Sequence, residues 1–314
     1  MQVFYGLDEL PDDWRGAVVT LGVFDGLHRA HTDILQRVVD SARQRDCRSM
    51  LITFDPHPRN VLAFPEVPVP LLTTPREKTE LLKDSELDAV LFLKVNQELL
   101  NTDSEEFVKT ILVDKLQVRK VIVGYDYHFG KDRGGKTEQL IEYGEKYQFA
   151  VETVQPIMQE GEAVRSSVIR LLISEGQVVK AAKLLGRPYS IQGKVIHGSG
   201  RGRQLGFPTA NLKVNDPQKM IPSSGIYLTT VDIDDRRYFG LCNVGTRKTF
   251  NEFKQIIEVY IMNLNNVDLY GSEIRINFLE WIRDEIKFDT VEELIDQMKS
   301  DEKECLKKTT KYTL

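Results

Sequence analysis

Ala17 to His31, AVVTLGVFDGLHRAH, is the stretch on which the fold turns. Its first seven residues, 17–23, are apolar apart from Thr20 and Gly22 and do not alternate, as expected of a strand buried on both faces. Two glycines, Gly22 and Gly26, then break the run and permit a tight turn with close backbone approach to a ligand. A helix is expected from His31 to Arg45. The dinucleotide-binding glycine spacing is absent, so this strand–turn–helix is of another kind.

The same alternation continues outward. Strands are expected at 47–54, 87–93, 118–124 and 149–154, with helices near 104–116 and 136–146 and two short ones at 168–175 and 178–185. Apolar runs spaced by helices predict an α/β, doubly wound parallel sheet. After Leu185-Gly186-Arg187-Pro188 the pattern changes. YSIQGKVIHG, IYLTTVDI, RYFGLCNV, IIEVYIMNL and EIRINFLEW read as strands with few helical signals between them, which predicts an antiparallel β-barrel. A C-terminal helix is expected at 291–298, with Thr290 and Glu293 as a capping box. The expected domains are therefore 1–186 and 187–314.

Four segments carry candidate chemistry. In the first turn, His28 and His31 stand three apart, so one helical turn brings both imidazoles to the helix N-terminus, where an anion is favoured. Equally open is a helix start with one surface and one packed histidine. A metal held by the pair is disfavoured, as no third ligand lies nearby. Arg165-Ser166-Ser167-Val168-Ile169-Arg170 either binds phosphate oxygens through its hydroxyls and Arg170, or is a capped surface helix. Gly124 to Gly135, GYDYHFGKDRGG, follows a strand; its aromatics either stack on a heterocycle or tuck into the core. Asp55-Pro56-His57-Pro58 is a rigid turn, ligand-facing or structural.

In the second half, Gly198 to Asn211, GSGRGRQLGFPTAN, suits a polyphosphate, and Thr209 and Asn211, two apart in an extended segment, suit magnesium. It is no P-loop, because no Lys-Ser/Thr pair closes the glycine run, and a flexible hairpin is the competing account. Glu258 in IIEVYIM is either a proton acceptor for an attacking hydroxyl or a solvated carboxylate, because apolar residues on both sides leave its face undecided.

The net charge of −5 argues against bulk electrostatic binding of nucleic acid, and none is expected. Cys47, Cys242 and Cys305 have no metal-ligand spacing, and a reducing cytoplasm is the expected compartment. No export signal opens the chain and no run approaches the roughly 20 apolar residues of a membrane span. Partners are expected to be small molecules, and oligomeric state is left open.

LGVFDGLHRAH, TFDPHP, VGYDYHFG, SSVIR, LLGRPY, GRGRQLGFPTANL, NVGTRKTF, IEVYIM and DLYG stand in an order that resembles the bacterial bifunctional riboflavin kinase/FMN adenylyltransferases, the prokaryotic-type FAD synthetases. The resemblance covers nearly the whole chain. It implies a first domain in which His28 and His31 polarise ATP phosphates and Asp25 and Gly26 shape the turn. Gly22, Phe24, His57, Asp126 and Phe129 are implied to bind beside them, and Ser166, Ser167 and Arg170 to form a phosphate segment. It implies a second domain in which Gly198 and Gly206 serve the phosphate loop, Thr209 and Asn211 hold Mg2+ with ATP, and Glu258 is the general base toward riboflavin. The implied products are FMN and then FAD. A member keeping only one of the two steps, or a flavin sensor, is the alternative. Two departures from the family are Ala30, where it carries glycine, and Lys248, where it carries proline.

Overall fold

The computed structural model describes residues 1–61, 68–198, 202, 205–248, 253–264 and 267–314, excepting the side chains at 247–248 and 253–254. Contacts divide the chain into two units, Met1–Ser166 and Ser167–Leu314.

The first unit is built on six parallel strands: β1 (Gln2–Tyr5), β2 (Val18–Leu21), β3 (Ser49–Asp55), β4 (Ala89–Lys94), β5 (Lys120–Gly124) and β6 (Ala150–Val154). Their order across the sheet is β1-β4-β3-β2-β5-β6. The apolar runs lack alternation because both faces are covered. Val18, Leu51, Val90 and Ile122 meet Ile34, Leu35, Val38 and Val39 of α1 (Arg29–Gln44) on one face. Their neighbours Val19, Met50, Leu91 and Val121 meet Ile111, Leu112, Leu116 and Leu140 on the other. Each such side chain, withdrawn from water, contributes about 1.5–3 kcal/mol.

Among the elements of this unit absent from the sequence-based expectations are an edge strand and a capped helix. The edge strand Gln2–Tyr5 pairs with β4. Helix α2 (Pro75–Leu82) starts at a capping box in which Thr74 and Glu77 bond each other's backbone N–H. The helix expected near 104–116 is present as an α-helical turn, Ser104–Phe107, that widens into π-helix over Val108–Lys115.

The strand order reverses between β2 and β5. Chain progress runs from β2 outward through β3 and β4 on one side, and from β5 to β6 on the other. In such sheets a ligand crevice opens at the carboxyl ends of the strands flanking the reversal. Here those ends lead into Gly22 and into Tyr125.

The second unit begins with two short helices, Ser166–Ser174 (taken from its second residue) and Val178–Leu185. The first of them is tied to the loop at Ser223, whose N–H donates to the Ile173 carbonyl at 3.3 Å. Six antiparallel strands then close a barrel: β7 (Tyr189–Ile196), β8 (Thr209–Val214), β9 (Gly225–Ile233), β10 (Arg236–Lys248), β11 (Phe253–Ile261) and β12 (Glu273–Arg283), in the order β7-β8-β11-β10-β9-β12. Its interior is filled by alternate residues, among them Val195, Leu212, Tyr227, Val244, Val259 and Phe278, all buried. The terminal helix runs to Thr309, well beyond the expected Met298. Thr290 caps it, accepting from the Glu293 N–H at 3.2 Å, while the Glu293 carboxylate turns back to the Asp289 N–H. The helix covers an apolar patch on the barrel's outer face, made by Leu228, Met262 and Leu279 with Cys305.

Candidate functional sites

The turn after β2 is held from beneath. Phe24, Gly26 and Leu27 all have left-handed backbones, with φ of 48°, 86° and 41°. The two that are not glycine each cost roughly 1 kcal/mol. Asp25 offsets that cost. Its buried carboxylate accepts from the Leu72 and Thr73 N–H groups at 3.0 and 2.9 Å and from the Thr73 hydroxyl at 3.2 Å. The Thr73 oxygen in turn accepts from the Gly26 N–H at 3.0 Å. Asp25 thus shapes the turn rather than facing outward from it. A Cβ on Gly22 would press on the Phe24 ring at 3.0 Å, which explains the glycine.

His28 is the N-cap of α1, its Nδ1 accepting from the His31 N–H at 3.4 Å. That bond leaves the proton of the neutral ring on Nε2. The His28 and His31 rings are stacked with centroids 3.6 Å apart, and Phe24 lies 4.5 Å beyond His31. The spacing of three does bring the two imidazoles together at a helix N-terminus. Ser166 joins the same turn, its hydroxyl donating to the Asp25 carbonyl at 2.9 Å. Ser167 and Arg170 lie within the first turns of the helix that Ser166 opens.

At the end of β5, Asp126 is exposed and stands 3.7 Å from Arg165, which also bonds the Tyr125 hydroxyl. Phe129 goes elsewhere: its ring is buried in the core with Tyr127, 5.4 Å between centroids, and Phe107. His57 is nearly buried, and its Nδ1 accepts from the Arg59 N–H at 3.2 Å.

Lys78 was not anticipated. It sits on α2 with its ammonium wholly buried, donating to the Val23 carbonyl at 2.6 Å and the Thr53 hydroxyl at 3.1 Å. Burial pushes its pKa down to about 8, against the opposing pull of Asp25 and Asp55. A cation therefore lies directly under the turn that carries His28. Thr74-Pro75-Arg76-Glu77, a capping box with proline at the first helical position, marks the start of the helix that carries it but not its burial.

In the barrel, strand register settles what IIEVYIM leaves open. Ile257, Val259 and Ile261 point into the core, so Glu258 lies on the outer face and is half-buried. It stands directly opposite Asn211 on one side and Asn243 on the other. Thr209, two residues before Asn211, shares that face. The glycines belong to the same construction. A Cβ on Gly198 would overlap the Asn211 amide, and one on Gly202 would meet the Thr209 hydroxyl at 3.1 Å. Gly206 instead answers a backbone need, with φ of 84° and no described atom within 4 Å of where a Cβ would stand. Ser199, Gly200, Arg201, Arg203 and Gln204, together with Thr249, Phe250 and the Lys248 side chain, lie outside the described residues.

Among the described residues no three His, Cys, Asp or Glu side chains gather as a metal site. The Thr209 hydroxyl and Asn211 amide beside the Glu258 carboxylate are hard oxygen donors, a set that fits magnesium carried in with phosphate oxygens. No described helix is long and apolar enough to cross a membrane.

Two family models match the chain. A family model described as FAD synthetase matches residues 10–168, and one described as riboflavin kinase matches residues 185–309. The bifunctional riboflavin kinase/FMN adenylyltransferase of Listeria monocytogenes is 34% identical over 296 residues, 93% of each chain. Its counterpart from Pseudomonas fluorescens is 36% identical over 302 residues, 96% of each. A solved structure from Streptococcus pneumoniae, described as a macrolide-efflux protein, superposes with a TM-score of 0.88 at 31% identity, covering 96% of this chain and 98% of its own.

Proposed function

The chain belongs to the bifunctional riboflavin kinase/FMN adenylyltransferase family, and we propose how its own residues divide the two ATP-dependent steps, riboflavin to FMN and FMN to FAD. Residues 1–186 carry the second step and residues 187–314 the first, in a cytoplasmic enzyme whose partners are small molecules.

In the barrel, the riboflavin 5′-hydroxyl oxygen bonds to the γ-phosphorus of ATP while its proton passes to the Glu258 carboxylate. The bond from that phosphorus to the β–γ bridging oxygen breaks, and ADP leaves. Thr209 and Asn211 would hold the magnesium of the nucleotide, which neutralises charge on its phosphates. Gly198 and Gly206 let the phosphate loop run close over them. In the first unit a phosphate oxygen of FMN bonds to the α-phosphorus of ATP and pyrophosphate departs. The attacking oxygen is already anionic, so this step asks for alignment and charge stabilisation rather than a base. His28 supplies an Nε2 proton donor, His31 is held beside it by stacking, and the α1 N-terminus adds its dipole. Lys78 places a positive charge behind them. Ser166, Ser167 and Arg170 serve the phosphates, with Gly22, Phe24, Asp25 and Gly26 forming the turn and Asp126 and His57 at neighbouring strand ends. Phe129 supports the loop of Asp126 from the core.

The observation that carries this reading is the His28–His31 pair, stacked at the N-terminus of α1 at the point where the sheet order reverses. His28→Asn keeps an N-cap acceptor and removes the imidazole. It is expected to slow FAD formation from FMN by about 10²–10³-fold, while phosphorylation of riboflavin by the same protein is unchanged. Chromatographic separation of the flavins reads both steps. Full FAD formation by this variant would remove the histidines from the proposal.

A further inference from the structure

Asn243 in β10 lies directly opposite Glu258 in β11, and Glu258 directly opposite Asn211 in β8. Directly opposed residues of antiparallel strands point to the same face, so the three side chains form one row on the outside of the barrel. The Asn243 Oδ1 in this row is buried and finds no hydrogen-bond partner among the described residues. The surroundings supply a reason. Glu258 is a carboxylate, and a second one, Glu285, stands over Gly245, where any Cβ would collide with it. Ionised carboxylates only accept, so neither neighbour has a proton to give the amide oxygen. A buried acceptor left without a donor costs stability, and native chains keep few of them. At this place in the row, the missing partner is a hydroxyl arriving with the substrate.

We infer that Asn243 is a substrate-positioning residue of the kinase site, accepting a hydrogen bond from a hydroxyl of the ribityl chain and so presenting the terminal hydroxyl to Glu258. This rests on Glu258 being the base of the proposed kinase step. It also makes Asn243 a specificity residue. It rewards a flavin whose side chain bears secondary hydroxyls over an analogue keeping only the terminal one.

The test is steady-state phosphorylation by the full-length protein carrying Asn243→Leu, with Asn243→Ala as the second variant and Glu258→Gln beside them. Removing an unsatisfied buried oxygen is expected to leave Tm unchanged or raised, whereas a residue that merely holds the barrel together would lower it. The KM for riboflavin is expected to rise about ten-fold or more, with the KM for ATP within about two-fold of the wild type. Preference for riboflavin over the analogue with only the terminal hydroxyl should narrow by a similar factor. Unchanged riboflavin KM and preference in both variants would overturn the inference. So would a lowered Tm with both KM values moving together. If Glu258→Gln is inactive while the Asn243 variants behave as wild type, this inference alone fails. If Glu258→Gln phosphorylates normally, the reading of the kinase site fails and takes this inference with it.

Discussion

Burial of the Lys78 ammonium lowers its pKa from the ordinary 10.5 to about 8, the attraction of Asp25 and Asp55 recovering only part of the loss. Proton counts set the sign of the consequence. Between pH 8 and 10.5 the unfolded chain holds a proton there that the folded chain has released, so stability rises with pH across that window. Below it the folded state bears the full cost, about 3 kcal/mol. Lys78→Met should therefore stabilise the protein at pH 7 by about 1–3 kcal/mol. Little is lost with the ammonium, because the Thr53 hydroxyl still donates to the Val23 carbonyl at 3.0 Å. Urea unfolding at pH 7 and pH 9.5 checks this. The wild type should gain on the variant as pH rises, while the variant forms FAD more slowly. A variant less stable than wild type at pH 7, with an unchanged pH profile, would show that the charge imposes no such burden.

At the scale of elements, the buried pair Arg283–Asp301 fastens the terminal helix to the barrel. Arg283 Nε lies 2.9 and 3.1 Å from the two Asp301 oxygens and its Nη2 2.6 Å from Oδ2, with Gln297 adding 2.8 Å. Asp301→Ala strands a half-buried guanidinium, and a loss of about 3 kcal/mol is expected in chemical unfolding. These same elements show what the sequence reveals and what it hides. Buried strands such as Lys120–Gly124 and the helix Val178–Leu185 are legible because apolar content and period coincide with burial. Gln2–Tyr5 is not, since a four-residue edge strand has no period to read. The His28–His31 turn is legible because spacing on one helical turn determines proximity. Lys78 is hidden because a lysine in a charged helix reads as surface, and only tertiary packing on Val23 and Thr53 buries it. Glu258 and Asn243 depend on strand register, which local apolar content in IIEVYI does not specify.

For the molecule as a whole, the two reactions run in the reverse of chain order, and the intermediate FMN is both the product of one set of residues and the substrate of the other. In the proposed scheme the two steps draw on different residues, so each can be silenced alone. A mixture of Glu258→Gln and His28→Asn proteins should then convert riboflavin to FAD far faster than either protein does by itself. The mixed rate should rise with total protein concentration as FMN crosses through solvent. A mixture that produces FMN but no FAD, although the Glu258→Gln protein adenylylates supplied FMN, would mean that the intermediate does not pass between molecules.

Strand β11 interleaves its two duties residue by residue: Ile257, Val259 and Ile261 fill the barrel while Glu258 and Tyr260 face out. A lineage can therefore exchange its letters singly, core for core and surface for surface. It cannot lose or gain one codon there, because every residue beyond the lesion would trade places, turning a carboxylate inward and isoleucines toward the substrate. This strand is free to drift in spelling and fixed in length.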